Sequence, residues 1–259
     1  MLARERQSEI TKMICEKGAV NTTLLVKIFN VSIETIRRDL LELEKQGLLQ
    51  RVHGGAVTVG KMKHMAELPQ RIEQNKVDKM ELCETAAMLV EENDIISIDC
   101  GSTAIYFAKA LKRRLSKLTI VTHSLDVFNI LTEKEGFQVI LCAGYFMKKE
   151  KAFYGHLTME TLKKLHVQKA FLFPSAISQQ GGIGDFSEEL QQVQRQMMQS
   201  SDRVYFLADH DKFEKHALLK LCDMSTNYVY VTDEKLNPSY KQLYQELGMR
   251  VITSRSEVM

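Results

Sequence analysis

Seven apolar runs of β-type residues recur in the second part of this chain, at 95–99, 119–122, 138–143, 170–173, 204–208, 228–232 and 250–253. Helical spacing fills the gaps between them. Strands separated by helices fold into an α/β layer whose sheet is mostly parallel, and this alternation excludes an all-helical body or a β-sandwich. The alternation begins only near Lys76, so a chain of 259 residues has room for a second, smaller domain ahead of it.

That smaller domain reads as a winged helix-turn-helix. From 5 to 15, Ile10, Met13 and Ile14 recur at helical spacing and Gly18 supplies a stop. A second short helix runs over 22–29 with Leu24, Leu25, Ile28 and Phe29, capped by Asn21 or Thr22, and Asn30 suits the left-handed turn that follows. Ser32 is positioned to cap a third helix in which Ile36, Leu40 and Leu43 face inward and which Gly47 ends. Glu34, Thr35, Arg37 and Arg38 are then left on the outer face and its flanks, in the first two turns, where a recognition helix meets base edges. Arg37 and Arg38 differ by about 100° around the axis, so one can fork onto a guanine while the other holds a phosphate. A strand at 48–52, the tip His53-Gly54-Gly55 and the return Ala56-Val57 make a β-wing, with Arg51 and His53 placed to touch backbone or minor groove. The plainer alternative is a solvated helix whose arginine pair is neutralised by Asp39.

The stretch VSIETIRRDLLELEKQGLLQRVHGGA, residues 31–56, resembles the signature of the deoxyribose-operon-repressor (DeoR) family, and the similarity extends from about Arg4 to the end of the chain. The resemblance implies that the TIRRDL helix enters the major groove through Ser32, Thr35, Arg37 and Arg38. The domains expected are a DNA-binding head at 1–57, a polar connector at 58–75 containing Pro69, and an α/β body for effector binding and oligomerisation at 76–259.

In a parallel sheet, ligands sit beyond the carboxyl ends of the strands. The richest such loop is Asp99-Cys100-Gly101-Ser102-Thr103-Ala104. Gly101 lets backbone approach a ligand, and the next three amides open a helix, which makes an anion site or simply a capped turn. Thr122-His123-Ser124 adds hydroxyls and an imidazole, and Asp209-His210-Asp211-Lys212 sets a lysine beside acids. The order D-x-G-S-T, T-x-S, A-D-x-x-K-F resembles the effector domain of the same regulators, related in fold to ribose-5-phosphate isomerase and known for binding phosphorylated sugars. It implies a pocket of Asp99, Gly101, Ser102, Thr103, Ala104, His123, Ser124, Asp209 and Lys212. The chain departs from the family at His123, where asparagine is usual, at Ala143-Gly144, where glycines pair, and at 173–178, which lacks the usual Gly-Asp character.

An isomerase of this fold would need a positioned base, and 175–178 holds no carboxylate, while Glu188 and Glu189 fall on a helix with an ordinary solvated role. A sensor and not an enzyme is expected, with no cofactor or metal. Charge agrees: residues 1–64 carry 11 Lys and Arg against 7 Asp and Glu, leaving 24 against 26 in the rest. The five cysteines form no C-x-x-C pair, and no run is long and apolar enough for a membrane span. The expectation is a cytoplasmic repressor, a homodimer or homotetramer, whose partners are operator DNA and a phosphorylated sugar.

Overall fold

The switch from helical to strand periodicity appears as a physical division. The computed structural model describes residues 6, 7, 9, 10, 13, 19–45, 49–52, 54–57 and 66–258, and the chain divides into two compact units, Met1–Met65 and Ala66–Met259.

In the first unit, residues 6, 7, 9, 10 and 13 are helical and precede β1 (Ala19–Asn21), α1 (Thr22–Phe29), α2 (Ile33–Lys45), β2 (Gln50–Val52) and β3 (Gly55–Val57). Asn21 caps α1, its side-chain oxygen accepting from the amides of Thr23 at 2.8 Å and Leu24 at 3.4 Å. Asn30 takes the left-handed conformation between the helices (φ 48°, ψ 51°), and Ser32 Oγ accepts from the Thr35 amide at 3.1 Å to open α2. Ile36, Leu40 and Leu43 are buried with Ile10, Leu25 and Leu49. On α1 only Leu25 of the five apolar residues is fully buried; Leu24 and Ile28 face outward, because an eight-residue helix is covered along one stripe only. The wing is three-stranded, in the order β1-β3-β2. The three residues of β1 are too few to show a period in the sequence.

The second unit begins earlier than its strand pattern. Within the expected connector, Leu68–Glu73 forms α3, with Leu68 and Arg71 buried. Pro69 lies in its first turn, where a missing N–H is harmless, so the proline starts this helix and does not break the chain. Next come α4 (Lys76–Ala87), β4 (Ile95–Ile98), α5 (Ser102–Arg114), β5 (Leu118–Thr122), α6 (Leu125–Thr132), β6 (Phe137–Leu141), β7 (Tyr145–Met147), β8 (Ala152–Tyr154) and α7 (His156–Lys163). They are followed by β9 (Val167–Leu172), β10 (Ala176–Ser178), β11 (Gly182–Asp185), α8 (Glu188–Gln199), β12 (Ser201–Leu207), β13 (Leu219–Cys222), β14 (Tyr228–Val231), α9 (Pro238–Glu246) and β15 (Arg250–Ile252).

All seven apolar runs enter one parallel sheet, in the order β15-β14-β12-β9-β4-β5-β6. Helices α4, α5 and α6 cover one face through Leu82, Phe107 and Leu131; α7, α8 and α9 cover the other through Leu162, Val193 and Tyr244. The chain builds outward from β4 through β5 to β6, then returns to lay β9 on β4's other side. The strand order therefore reverses between β4 and β9, and a crevice opens there beyond their carboxyl ends. Two small antiparallel units, β7-β8 and β10-β11-β13, escape the sequence reading because their strands span three or four residues.

Candidate functional site

The outer face of α2 carries Ser32, Arg37 and Arg38 exposed and Thr35 half-buried, with Ser32 Oγ and Thr35 Oγ1 2.9 Å apart. Asp39 is not the counter-ion of the arginine pair. It is buried, its Oδ2 accepting from Arg6 Nε at 2.6 Å and its Oδ1 from Gln7 Nε2 at 3.1 Å. Arg37 keeps one contact, to Glu34 at 3.2 Å, between two largely exposed side chains where solvent leaves little attraction. Arg51 is tied down differently: its Nε and its amide both donate to Glu44, at 2.7 and 2.8 Å, and those bonds hold the Glu44 carboxyl below its usual range. His53 lies outside the described residues.

At the crevice between β4 and β9, Asp99 is wholly buried and its carboxylate is shared out internally. Oδ1 faces His123 Nε2 at 2.8 Å, and Oδ2 accepts from Gln194 Nε2 at 3.0 Å and the Phe173 amide at 3.4 Å. His123 Nδ1 lies 2.8 Å from the Phe153 carbonyl, which can only accept, so that nitrogen carries a proton. Gln194 donates its second N–H to Asp185 at 2.9 Å, and Ser175 Oγ donates to the same carboxylate at 2.8 Å. Burial pushes the Asp185 carboxyl up. Ser124, also buried, spends its hydroxyl on capping α6, accepting from the Val127 amide at 3.3 Å.

Above this network lies the start of α5. Gly101 holds φ 123° and ψ 174° with open space where a Cβ would be, and no side chain caps the helix. Ser102 and Thr103 are each 7% exposed, yet their hydroxyls have no hydrogen-bond partner among the described residues. Uncapped amides with two hydroxyls beside them can seat an oxyanion. Gly101→Val is expected to lower the stability of the second unit by about 1–3 kcal/mol through backbone strain alone, read as a fall in its melting temperature; an unchanged melt would show that the loop adopts another conformation.

The β12 end contributes Asp209, buried and accepting from Asn75 Nδ2 at 3.2 Å, and Lys212, half-buried in the short turn His210–Lys212. Nearby, buried Lys79 donates to the carbonyls of Arg71 at 2.5 Å and Gln74 at 2.6 Å. Burial pulls its ammonium down; Asp209 opposes this, and Lys212 and Arg71 add to it. The structure thus gathers Asp99, His123 and the loop 101–104 on one side, and Asp209 and Lys212 with Lys79 on the other. Arg71, Lys79, Glu150, Asp185 and Gln194 were missed by the sequence reading. A signal existed for Gln194, which shares an apolar face with Leu190, Val193 and Met197. Nothing local marks the others.

Asp99, Cys100 and His123 present ligand-type atoms within 4.8 Å of one another. Two of those atoms are already in direct hydrogen-bond contact, and burial pushes the Cys100 thiol well up, away from the thiolate a metal needs.

Two family models match the chain: a DeoR-like helix-turn-helix domain over residues 6–61 and a DeoR C terminal sensor domain over 74–234. The L-fucose operon activator of Haemophilus influenzae is 35% identical over 242 residues, covering 93% of this chain and 96% of that one. An uncharacterized HTH-type transcriptional regulator of Bacillus subtilis, YulB, is 30% identical over 251 residues, covering 97% and 96%. Among solved structures, ribose 5 phosphate isomerase A from Neisseria gonorrhoeae aligns over 54% of each chain with a TM-score of 0.41 and 17% identity.

Proposed function

The chain belongs to the DeoR family of transcriptional regulators, and from that premise we propose that it is a cytoplasmic, oligomeric repressor of a carbohydrate-utilisation operon, released from its operator by a phosphorylated sugar. The observation that carries the reading is the arginine pair on the exposed face of α2, from which Asp39 is turned away to Arg6 and against which Glu34 makes only a solvent-exposed contact. Arg37 and Arg38 are thereby available to a guanine edge and a phosphate, with Ser32, Thr35, Arg51 and His53 as flanking contacts.

The effector half rests on the uncapped start of α5, where Gly101, Ser102, Thr103 and Ala104 offer amides and hydroxyls to a phosphate. Lys212 supplies positive charge, and Asp209 an acceptor for a sugar hydroxyl. Asp99, His123 and Ser124 act from beneath as the floor that fixes the loop, since each spends its polar atoms internally. A sugar operon is favoured because the Haemophilus influenzae relative is named for the L-fucose operon. A ligand that prefers one arrangement of the paired heads shifts DNA affinity by the same coupling energy that DNA exerts on the ligand, about 1–3 kcal/mol.

The test is fluorescence anisotropy on DNA from upstream of the protein's own gene cluster, titrated with pentose and hexose monophosphates. Dissociation by one compound supports repression; tightening by it makes the protein an activator; loss of all specific binding sinks the reading. Lys212→Ala should raise the concentration of that compound needed for half-release by about tenfold or more, the worth of one hydrogen bond to a charged group, with DNA affinity kept. An unchanged titration would remove Lys212 from the pocket.

A further inference from the structure

Four buried side-chain atoms have no hydrogen-bond partner among the described residues. Two are single hydroxyls, Ser97 within β4 and Thr232 just past β14. The other two, Gln191 Nε2 and Gln194 Oε1, belong to residues three apart on α8, a spacing that puts side chains on one face of a helix. Those residues are 8% and 2% exposed, so bulk water does not serve them. A buried amide donor or acceptor left empty is costly, and it calls for an occupant.

The pair stands at the crevice beyond β4. Gln194 Nε2 donates to two carboxylates, Asp99 Oδ2 at 3.0 Å and Asp185 Oδ2 at 2.9 Å, and these bonds fix the orientation of the amide. Its oxygen, borne on the same carbon, therefore lies beside Asp99, two residues ahead of the Gly101 turn. Leu190, which precedes Gln191, packs with Cys100 and Ala152 and so brings this face of α8 against the same loop. The two empty atoms are of opposite sense, one a donor and one an acceptor, yet they do not bond each other. A group standing between them must accept from Gln191 and donate to Gln194, and a hydroxyl does both. A fully ionised oxyanion has no proton to give. It would also meet Asp99 and Asp185, which lie close enough that the charge of one raises the carboxyl of the other.

We infer that Gln191 and Gln194 bind a hydroxyl of the effector's sugar moiety and select for a hydroxylated over a deoxygenated carbon at that point. This rests on the reading of the α5 start as the phosphate seat, and it gives the effector a direction, with the phosphate at 101–104 and the hydroxylated end toward α8. A site built to hydrogen-bond a hydroxyl rejects an analogue that lacks it, because its buried polar atoms are then left empty. A buried water would fill the same two atoms without regard to the ligand, and the two cases differ in what a missing hydroxyl does.

The test is calorimetric titration of the full chain with pentose and hexose monophosphates and their monodeoxy counterparts, for wild type, Gln191→Met and Gln194→Met. Wild type should bind the best sugar phosphate about tenfold or more tighter than the counterpart lacking one particular hydroxyl. In Gln191→Met, which keeps the length of the side chain and removes its amide, that preference should shrink severalfold. Gln194→Met should shrink it too; because this change also strips a donor from Asp99 and Asp185, Gln191→Met decides the matter if Gln194→Met fails to fold. A glutamine that only supports the fold, or only holds a water, weakens both compounds alike, so an unchanged preference in Gln191→Met overturns the inference. Indifference of wild type to the removal of every hydroxyl overturns it as well, while the phosphate seat stands. If wild type binds no phosphorylated sugar, the seat itself is refuted and this inference falls with it.

Discussion

Arg38→Ala and Arg37→Ala each weaken operator binding by about 5- to 150-fold, the worth of one bidentate base contact, while the melting of the head stays unchanged. The geometry behind this is the division of charge on α2. Asp39 sits one residue beyond the arginine pair, yet the helix turns it inward, where Arg6 and Gln7 consume its oxygens. Neither arginine contributes to the apolar cluster of Ile36, Leu40 and Leu43, so truncation removes an outward contact and nothing else. The variants also separate two roles. Loss of a base contact relaxes selectivity at one operator position, whereas loss of a phosphate contact weakens all sequences alike and reduces the salt slope by about one. Normal binding by both variants would remove α2 as the reading helix.

Asp39→Ala lowers the stability of the head by about 3–5 kcal/mol, because it strands the buried Arg6 guanidinium without its carboxylate. The two side chains are 8% and 5% exposed, so water does not rescue the orphan. The effect is expected in the first unit alone, as fast amide exchange throughout α1 and α2 with the second unit still protected, followed by hydrogen exchange. A double variant that replaces both partners with apolar residues should recover much of the loss. Equal exchange in Asp39→Ala and wild type would mean that the pair is not held in solution.

The seven sheet strands were readable because strands buried on both faces appear as unbroken apolar runs. Their order was not, since it depends on which distant runs pair, and the crevice exists only because β9 lies against β4 and not beside β6. Asp99 and Gly101 were legible from the loop that carries them. Gln194 and Asp185 reach Asp99 from a helix and a small sheet far along the chain, and no local pattern announces such convergence. Arg71 was hidden by Pro69, which punctuates a connector in sequence but opens a helix in space. Asp185 stands beside Ser175 only in three dimensions, where the Ser175 hydroxyl donates to it.

In the wing, Gly55 pairs with Asn21 on β1 and with Val52 on β2. A Cβ placed on it would stand 2.1 Å from the Val20 carbonyl oxygen, and the Thr22 amide donates to the Gly54 carbonyl at 2.9 Å. One absent methyl group therefore lets the hairpin lie flush against the strand that leads into α1, so that hairpin and helix pair form a single rigid jaw of set bite. New operator preferences in such a protein arise by exchanging side chains along the jaw, not by changing how wide it opens.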